Sequence, residues 1–290
     1  MEPKPTAEYR LDLAGAVMAL DCHPPALAPG LASWFARPSS PEEPHIRLHF
    51  ELVPHADTLE LPNSLLKTKT LQDGGRFDIA DGLITGRFDP KTGHGEVYPK
   101  GALTRGLLKR VMEQIFYQSF YSAARAAGNG SFLLHSSAVI AQGSGFLFVG
   151  PSEAGKTTAA INSAAFHVLG DEMTLVVPNP AGTLIEGTPF NGTFKQKRPG
   201  RAPLRAIFLL EQAAQHRILP VDPAEAVSFI AAEVAPPVGL DAVPDKSTVP
   251  TMVDLAANLV DQVPVYRLEC LPDPGFWRVI DEHFQLGLFP

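Results

Sequence analysis

Cysteine is nearly missing from this chain. It has two in 290 residues, Cys22 and Cys270, far apart in sequence. That excludes a disulfide framework and any multi-cysteine zinc site, and it suits a reducing compartment. A basic surplus is missing too: Lys and Arg total 24 against 31 Asp and Glu, a formal charge of −7. Nucleic-acid binders carry clustered positive charge, so no nucleic acid is expected as a partner. No stretch of ~18 apolar residues occurs, so no membrane span is expected. The opening segment, MEPKPTAEYR, has no apolar signal core, and the expectation is a cytoplasmic protein. Repeats and low-complexity runs are also lacking, because the 28 prolines are dispersed. The histidines show no ligand spacing; His45 and His49 lie four apart, but on an expected strand.

What the chain does have is enough apolar residue, 45%, for a sizeable core, and enough length for two modest domains. Residues 22–45 are rich in Pro and small residues and read as irregular, with a short helical turn around Ala32–Ala36. Residues 46–53, 76–90 and 95–99 read as short antiparallel strands, with Asp81-Gly82 as a hairpin turn. Over 104–127, Leu107, Leu108, Val111, Ile115, Phe116, Phe120 and Ala123 recur at three and four, which predicts one long helix. Gly128-Asn129-Gly130-Ser131 ends it with C-cap chemistry and marks the boundary between a 1–128 domain and a 129–290 domain.

Beyond that boundary the texture changes. Residues 132–141, 145–150, 167–178, 184–190, 204–212 and 264–270 read as strands, with helices over 156–165, 223–234, 251–262 and 274–284. Strands alternate with helices, yet several are joined by short turns. The pattern predicts an α/β fold whose core is a mixed sheet, preceded by a smaller N-terminal α+β domain.

The chemistry is carried by Gly150-Pro151-Ser152-Glu153-Ala154-Gly155-Lys156-Thr157, which matches G-x-x-x-x-G-K-[ST], with Thr158 following. A triphosphate needs several backbone N–H donors converging on its oxygens. Glycines let the chain curl that closely, and the helix that starts near Lys156 adds its positive end. Lys156 is the residue for the β- and γ-phosphates, and Thr157 supplies a hydroxyl to Mg²⁺. A chance match is expected roughly once in a hundred such sequences, and here an apolar strand precedes the motif and a helix-forming run follows it. ATP and Mg²⁺ are therefore the expected ligands.

Phosphoryl transfer also needs an acid for the metal or for the acceptor hydroxyl. Asp171 and Glu172 come 15 residues after Lys156, and are expected at the end of a strand beside the loop's own strand. Lys195, Lys197, Arg198, Arg201 and Arg205 follow in a loop without acids, a local surplus suited to charge developing on a transferred phosphoryl group. Arg198, mid-loop, is the cation taken as catalytic. Alternatively the patch grips an acidic partner or is a solvated loop. His135, on the strand that turns back into the phosphate-loop strand, is either a proton-handling group near the phosphates or a histidine with one structural hydrogen bond.

Together, LLHSSAVIAQGSGFLFVG, GPSEAGKTT, LGDEMTLV, GTPF and APLRAIFLLE resemble the HPr kinase/phosphorylase family and its smaller relatives, which share a catalytic core with phosphoenolpyruvate carboxykinase. The resemblance covers about 129–280. It implies a phosphate loop in the middle of a mixed sheet, and ATP-dependent phosphorylation of a serine on a protein or peptide. It further implies that Lys156 holds phosphates, Thr157 ligates Mg²⁺, Asp171 is the carboxylate that takes the serine proton, Glu172 is its neighbouring acid, and His135 corresponds to a histidine of that family. Glu153 stands where that family carries a second loop glycine, and Glu172 stands where it carries Asp.

The reading is an Mg²⁺-assisted kinase acting on a hydroxyl of a protein or peptide, with residues 1–128 recruiting the acceptor and room for a homo-oligomer. Two alternatives stay open. One is a small-molecule kinase or carboxykinase-like enzyme; the other is a nucleotide-gated binding protein without transfer chemistry.

Overall fold

The computed structural model describes residues 6–51, 68–72, 76–79, 84–89, 94–99, 105–190, 192–235 and 248–289. It is a mixed α/β protein with two sheets and six helices among the described residues. The chain divides into two compact units, one drawn mainly from Met1–Asn129 and one from Gly130–Pro237 and Lys246–Pro290.

The first unit holds a seven-stranded sheet of β1 (Ala7–Leu13), β2 (Ala16–His23), β3 (Ile46–Glu51), β4 (Thr68–Gln72), β5 (Arg76–Ile79), β6 (Ile84–Asp89) and β7 (His94–Pro99), in the order β1-β2-β3-β7-β6-β5-β4. Strands β5 and β6 pair antiparallel as expected; the Asp81-Gly82 turn lies outside the described residues. Helices α1 (Leu27–Phe35) and α2 (Arg105–Ala126) accompany this sheet. Tyr9, Phe35 and Phe116 meet there as a buried aromatic cluster, with ring centroids 5.6–6.1 Å apart. Gly128, at φ +66°, ends α2 through Gly128 N–H to Arg125 O and Asn129 N–H to Ala124 O, the left-handed cap the sequence signals.

The second unit starts with a hairpin. Strand β8 (Phe132–Ala141) turns through Gln142 and Gly143, both at positive φ, into β9 (Ser144–Val149). Two left-handed residues in a two-residue loop match the twist of the strands they join. Helix α3 (Lys156–Asn162) follows, then β10 (His167–Gly170), β11 (Met173–Val177), β12 (Leu184–Gly187) and β13 (Arg201–Gln212). Next come β14 (Arg217–Pro220), α4 (Pro223–Glu233), α5 (Thr248–Gln262), β15 (Val265–Cys270) and α6 (Phe276–Phe284).

Pairing in this sheet closes a circuit. The first half of β8 pairs with β11, β11 with β12, and β12 with the first half of β13; the second half of β13 runs parallel to β9, which returns to β8. Gly145 sits where the circuit is tight, since a Cβ there would lie 2.6 Å from the Ile185 side chain. Strand β15 extends the sheet parallel to β13, and β14 is antiparallel to β15. One face of the sheet carries Phe146, Phe148 and Phe208 against α3 and α6, with Trp277 at the centre. Trp277 Nε1 donates to Ser163 Oγ at 2.8 Å, so the one polar atom of this buried ring is satisfied.

Asp171 follows a strand that lies elsewhere than its sequence position predicts. The strand leading to Asp171 is not beside the phosphate-loop strand: β10 pairs with β8, and β8 lies between β10 and β9. The reason is the tight Gln142-Gly143 hairpin, which gives that edge of β9 to β8. Strands β10 and β11 run consecutively along the other edge of β8, with Asp171 and Glu172 at the break between them.

Candidate functional site: the 150–157 loop and a buried carboxylate

Parallel strands β9 and β13 end on the same side of the sheet, and the 150–155 loop leaves β9 there. Its curvature has specific causes. A Cβ on Gly150 would lie 2.6 Å from the Ala154 Cβ, so only glycine lets the loop fold back on itself. Gly155 takes φ +110° and Glu153 takes φ +68°. Ala154 N–H donates to Pro151 O at 3.2 Å, and Gln212, at the end of β13, donates from its amide nitrogen to Glu153 O at 2.9 Å. Pro151, Ser152 and Glu153 are exposed, and Lys156 is 7% exposed.

Lys156 bends back over the loop. Its ammonium donates to Gly150 O and, at 3.0 Å, to Pro151 O, and lies 4.0 Å from Glu233 Oε2. Burial pushes its pKa below the usual lysine value, opposed by the charges of Glu233 and Glu172.

Asp171 is 3% exposed, and its oxygens differ. Oδ2 accepts from Thr157 Oγ1 at 2.9 Å, Thr193 N–H at 3.1 Å and Phe194 N–H at 3.0 Å. Oδ1 is buried without a hydrogen-bond partner. The backbone wraps the carboxylate so closely that a Cβ on Gly192 would fall well inside van der Waals contact of Oδ1. The register slip in β10 between Val168 and Gly170 precedes this residue; such slips re-aim the side chains that follow them. An orphaned, buried carboxylate oxygen beside a threonine hydroxyl is a donor set that fits a small hard cation such as Mg²⁺, which takes one or two carboxylates and leaves other positions to phosphates. Among the described residues no group of three or more His, Cys, Asp or Glu could hold a metal by itself.

The structure thus brings together Gly150 to Lys156, Thr157, Asp171 and His135, with Thr158 half-buried on the first turn of α3. Glu172 is half-buried, accepts Ser136 N–H through its carbonyl at 3.2 Å, and its charge reaches Lys156. The loop cations each find other partners. Arg198 donates to Phe166 O at 2.9 Å, before the start of β10 and away from its Asp171 end. Arg201 pairs with Glu186, Arg205 lies over the Phe284 ring at 5.5 Å, and Lys195 donates to Gly192 O at 2.9 Å. Lys197 places its ammonium on the carbonyls of Thr188 and Phe190 and its stem 4.0 Å from a Cβ position on Gly170.

Sequence reasoning missed three participants: Glu233, Gly192 and Gln212. Glu233 ends α4 and meets His135 across 98 residues of sequence. Gln212 meets the loop across 59. Neither separation leaves a local signal. Gly192 is one of 24 glycines, and nothing in spacing singles it out.

A family model described as SynChlorMet cassette protein ScmC matches residues 106–285. No curated protein matches the chain. The matched span is more than half of the 290 residues, so the chain belongs to the ScmC family. This corrects the resemblance to the HPr kinase/phosphorylase family, since the match is to ScmC and nothing points to that family or to a P-loop family. The features behind the resemblance are a phosphate-binding spacing, a hairpin and a following acid. They state what a loop must do to hold phosphate, which is a physical requirement rather than a mark of kinship. The match also begins within α2, well before the 129–280 stretch on which the resemblance rested.

Proposed function

We propose that this member of the ScmC family is an ATP-dependent phosphotransferase that moves the γ-phosphoryl group to a serine or similar hydroxyl of a protein or peptide. The observation that carries the reading is Asp171: one oxygen held by Thr157 and two backbone amides, the other buried and unpartnered, next to the 150–157 loop. Thr157 and Asp171 would hold Mg²⁺, with Glu172 close by, and the ion would supply charge neutralisation at the phosphate oxygens. The amides of 151–157 would cradle the phosphates, and Lys156 would exchange its loop carbonyls for phosphate oxygens. Charge developing on the transferred group is then met by fixed donors that need little reorganisation.

The second reading, a nucleotide-gated binder without transfer, has Glu153 in its favour. It sets an exposed carboxylate on the loop, a charge unsuited to the negative charge that transfer would develop on a phosphoryl group there.

The test uses γ-labelled ATP with Mg²⁺, the full chain, and candidate peptides or lysate as acceptors. The proposal expects label on a hydroxyl, lost on chelating Mg²⁺ and reduced by ~10²-fold or more in Asp171→Asn. Nucleotide binding without transfer to any acceptor, and indifferent to Asp171→Asn, would leave the binder.

A further inference from the structure

Glu233 has no part in the reading above, yet its carboxylate lies 4.0 Å from the Lys156 ammonium. It is the last residue of α4, and the chain just after it is tied to β8: Val234 bridges Leu134, and Ala235 N–H donates to Leu133 O at 2.9 Å. The helix end therefore cannot drift from the first half of β8, where His135 sits. A single oxygen, Glu233 Oε2, lies 3.0 Å from His135 Nδ1 and 4.0 Å from Lys156 Nζ. The Glu233 side chain is 12% exposed and that of His135 33%.

The chemistry follows from the inventory of the groups. A carboxylate only accepts, so in neutral imidazole the proton sits on Nδ1 and Nε2 keeps its lone pair. His135 has no further hydrogen-bond partner among the described residues, and its ring is partly open to solvent. Asp171, by contrast, already accepts three donors on Oδ2, and Oδ1 is the atom left for a cation. We propose that Glu233 and His135 form a dyad in which His135 Nε2 takes the proton of the attacking hydroxyl and Glu233 is the positioning residue that sets the imidazole tautomer.

This rests on the phosphotransfer reading. As the acceptor oxygen bonds to the γ-phosphorus, the bond from that phosphorus to the β,γ-bridging oxygen breaks, and its electron pair leaves with ADP. The hydroxyl proton goes to Nε2. The imidazolium, held against Glu233, then passes the proton to solvent. Glu233 also competes with the phosphates for Lys156 through the same oxygen.

Two measurements test this on the full chain. The first is the ¹⁵N spectrum of the His135 ring, which reads the tautomer with or without any turnover. The dyad expects the Nδ1–H form in the unsubstituted protein and a growing share of the Nε2–H form in Glu233→Gln, whose amide can accept from or donate to Nδ1. An Nε2–H form in the unsubstituted protein overturns the proposal. The second is phosphate release from Mg·ATP, with water standing in for the acceptor. His135→Ala is expected to lower kcat by ~10²-fold, and Glu233→Gln by ~10-fold or more, with KM for ATP unchanged or lower. The double variant should be no slower than His135→Ala alone. Glu233→Gln keeps the size and shape of the side chain, so a role in packing alone would leave kcat unchanged. Turnover that survives in His135→Ala overturns the dyad and leaves the phosphotransfer reading standing. No phosphate release to water, together with no label on any acceptor, in the unsubstituted protein overturns both.

Discussion

The two oxygens of Asp171 live in different surroundings, and a single methyl group tests how much that matters. Gly192 packs its Cα face against Oδ1 with no room for a Cβ. Gly192→Ala must therefore push the carboxylate or the 192–194 backbone aside while leaving the sheet intact. Turnover is expected to fall by ~10²-fold, the usual effect of misplacing a reacting group by about an ångström. Melting that drops as far as activity would show that Gly192 serves the fold instead. A second residue-scale prediction concerns Cys22. Burial pushes its thiol up to about 12 from an ordinary 9.0, with the charge of Asp21 adding to this. The folded state therefore binds the thiol proton more tightly than the unfolded one. That contribution is fully present below about pH 9 and is lost as pH rises toward 12. Burial raises Tyr9 to about 12 as well, with the same sign. Denaturant titrations above pH 9 should show falling stability, and a shallower fall in Cys22→Ala; parallel curves for the two proteins would refute the assignment.

At the scale of elements, the 150–155 loop holds the clearest conflict between local preference and structure. Glu153 takes a left-handed conformation that costs a side-chain-bearing residue about 1–2 kcal/mol, and the loop keeps it there with the Gln212 amide on its carbonyl. Glu153→Gly removes both that cost and a negative charge from the mouth of the loop. Mg·ATP affinity is expected to rise about 3–10-fold, more at low salt than at high, with stability unchanged or slightly improved. Weaker binding would mean that the carboxylate itself contacts the nucleotide. The loop and its flanking elements were legible in the sequence because their signals are local: glycines at fixed spacing, FLFV before and TTAAIN after. The first two strands went unread although the signal was present, for Tyr9, Leu11 and Leu13 alternate inward along β1. Pro29 and Gly30 lie inside α1 and hid most of it. Strand β14 is only four residues long, too short to show a period.

For the molecule as a whole, the fold class could be read but its wiring could not. Turn-linked strands between helices announced a mixed sheet. The circuit through β8, β11, β12, β13 and β9, and the placing of β8 between β10 and β9, depend on pairings between distant segments that a periodicity does not encode. The same limit separates the two halves of the candidate site. Lys156, Thr157 and Asp171 lie close in sequence, within reach of a spacing argument. Glu233 reaches them only after α4 packs back on β8, and is out of its reach. Charge density across 195–205 does not say where side chains point, and Arg198, Arg201 and Arg205 rest on Phe166 O, Glu186 and the Phe284 ring. Among the described residues no helix is long and apolar enough to cross a membrane.

All of these readings depend on the 150–157 loop binding a magnesium-bound triphosphate. Calorimetric titration of the full chain with Mg·ATP, alongside Lys156→Ala, tests that most directly. The account predicts saturable binding by the unsubstituted protein and a loss of ~10–100-fold or more in the variant, the worth of a charge-assisted contact to phosphate. Equal affinity in the two proteins, or no binding in either, would contradict it.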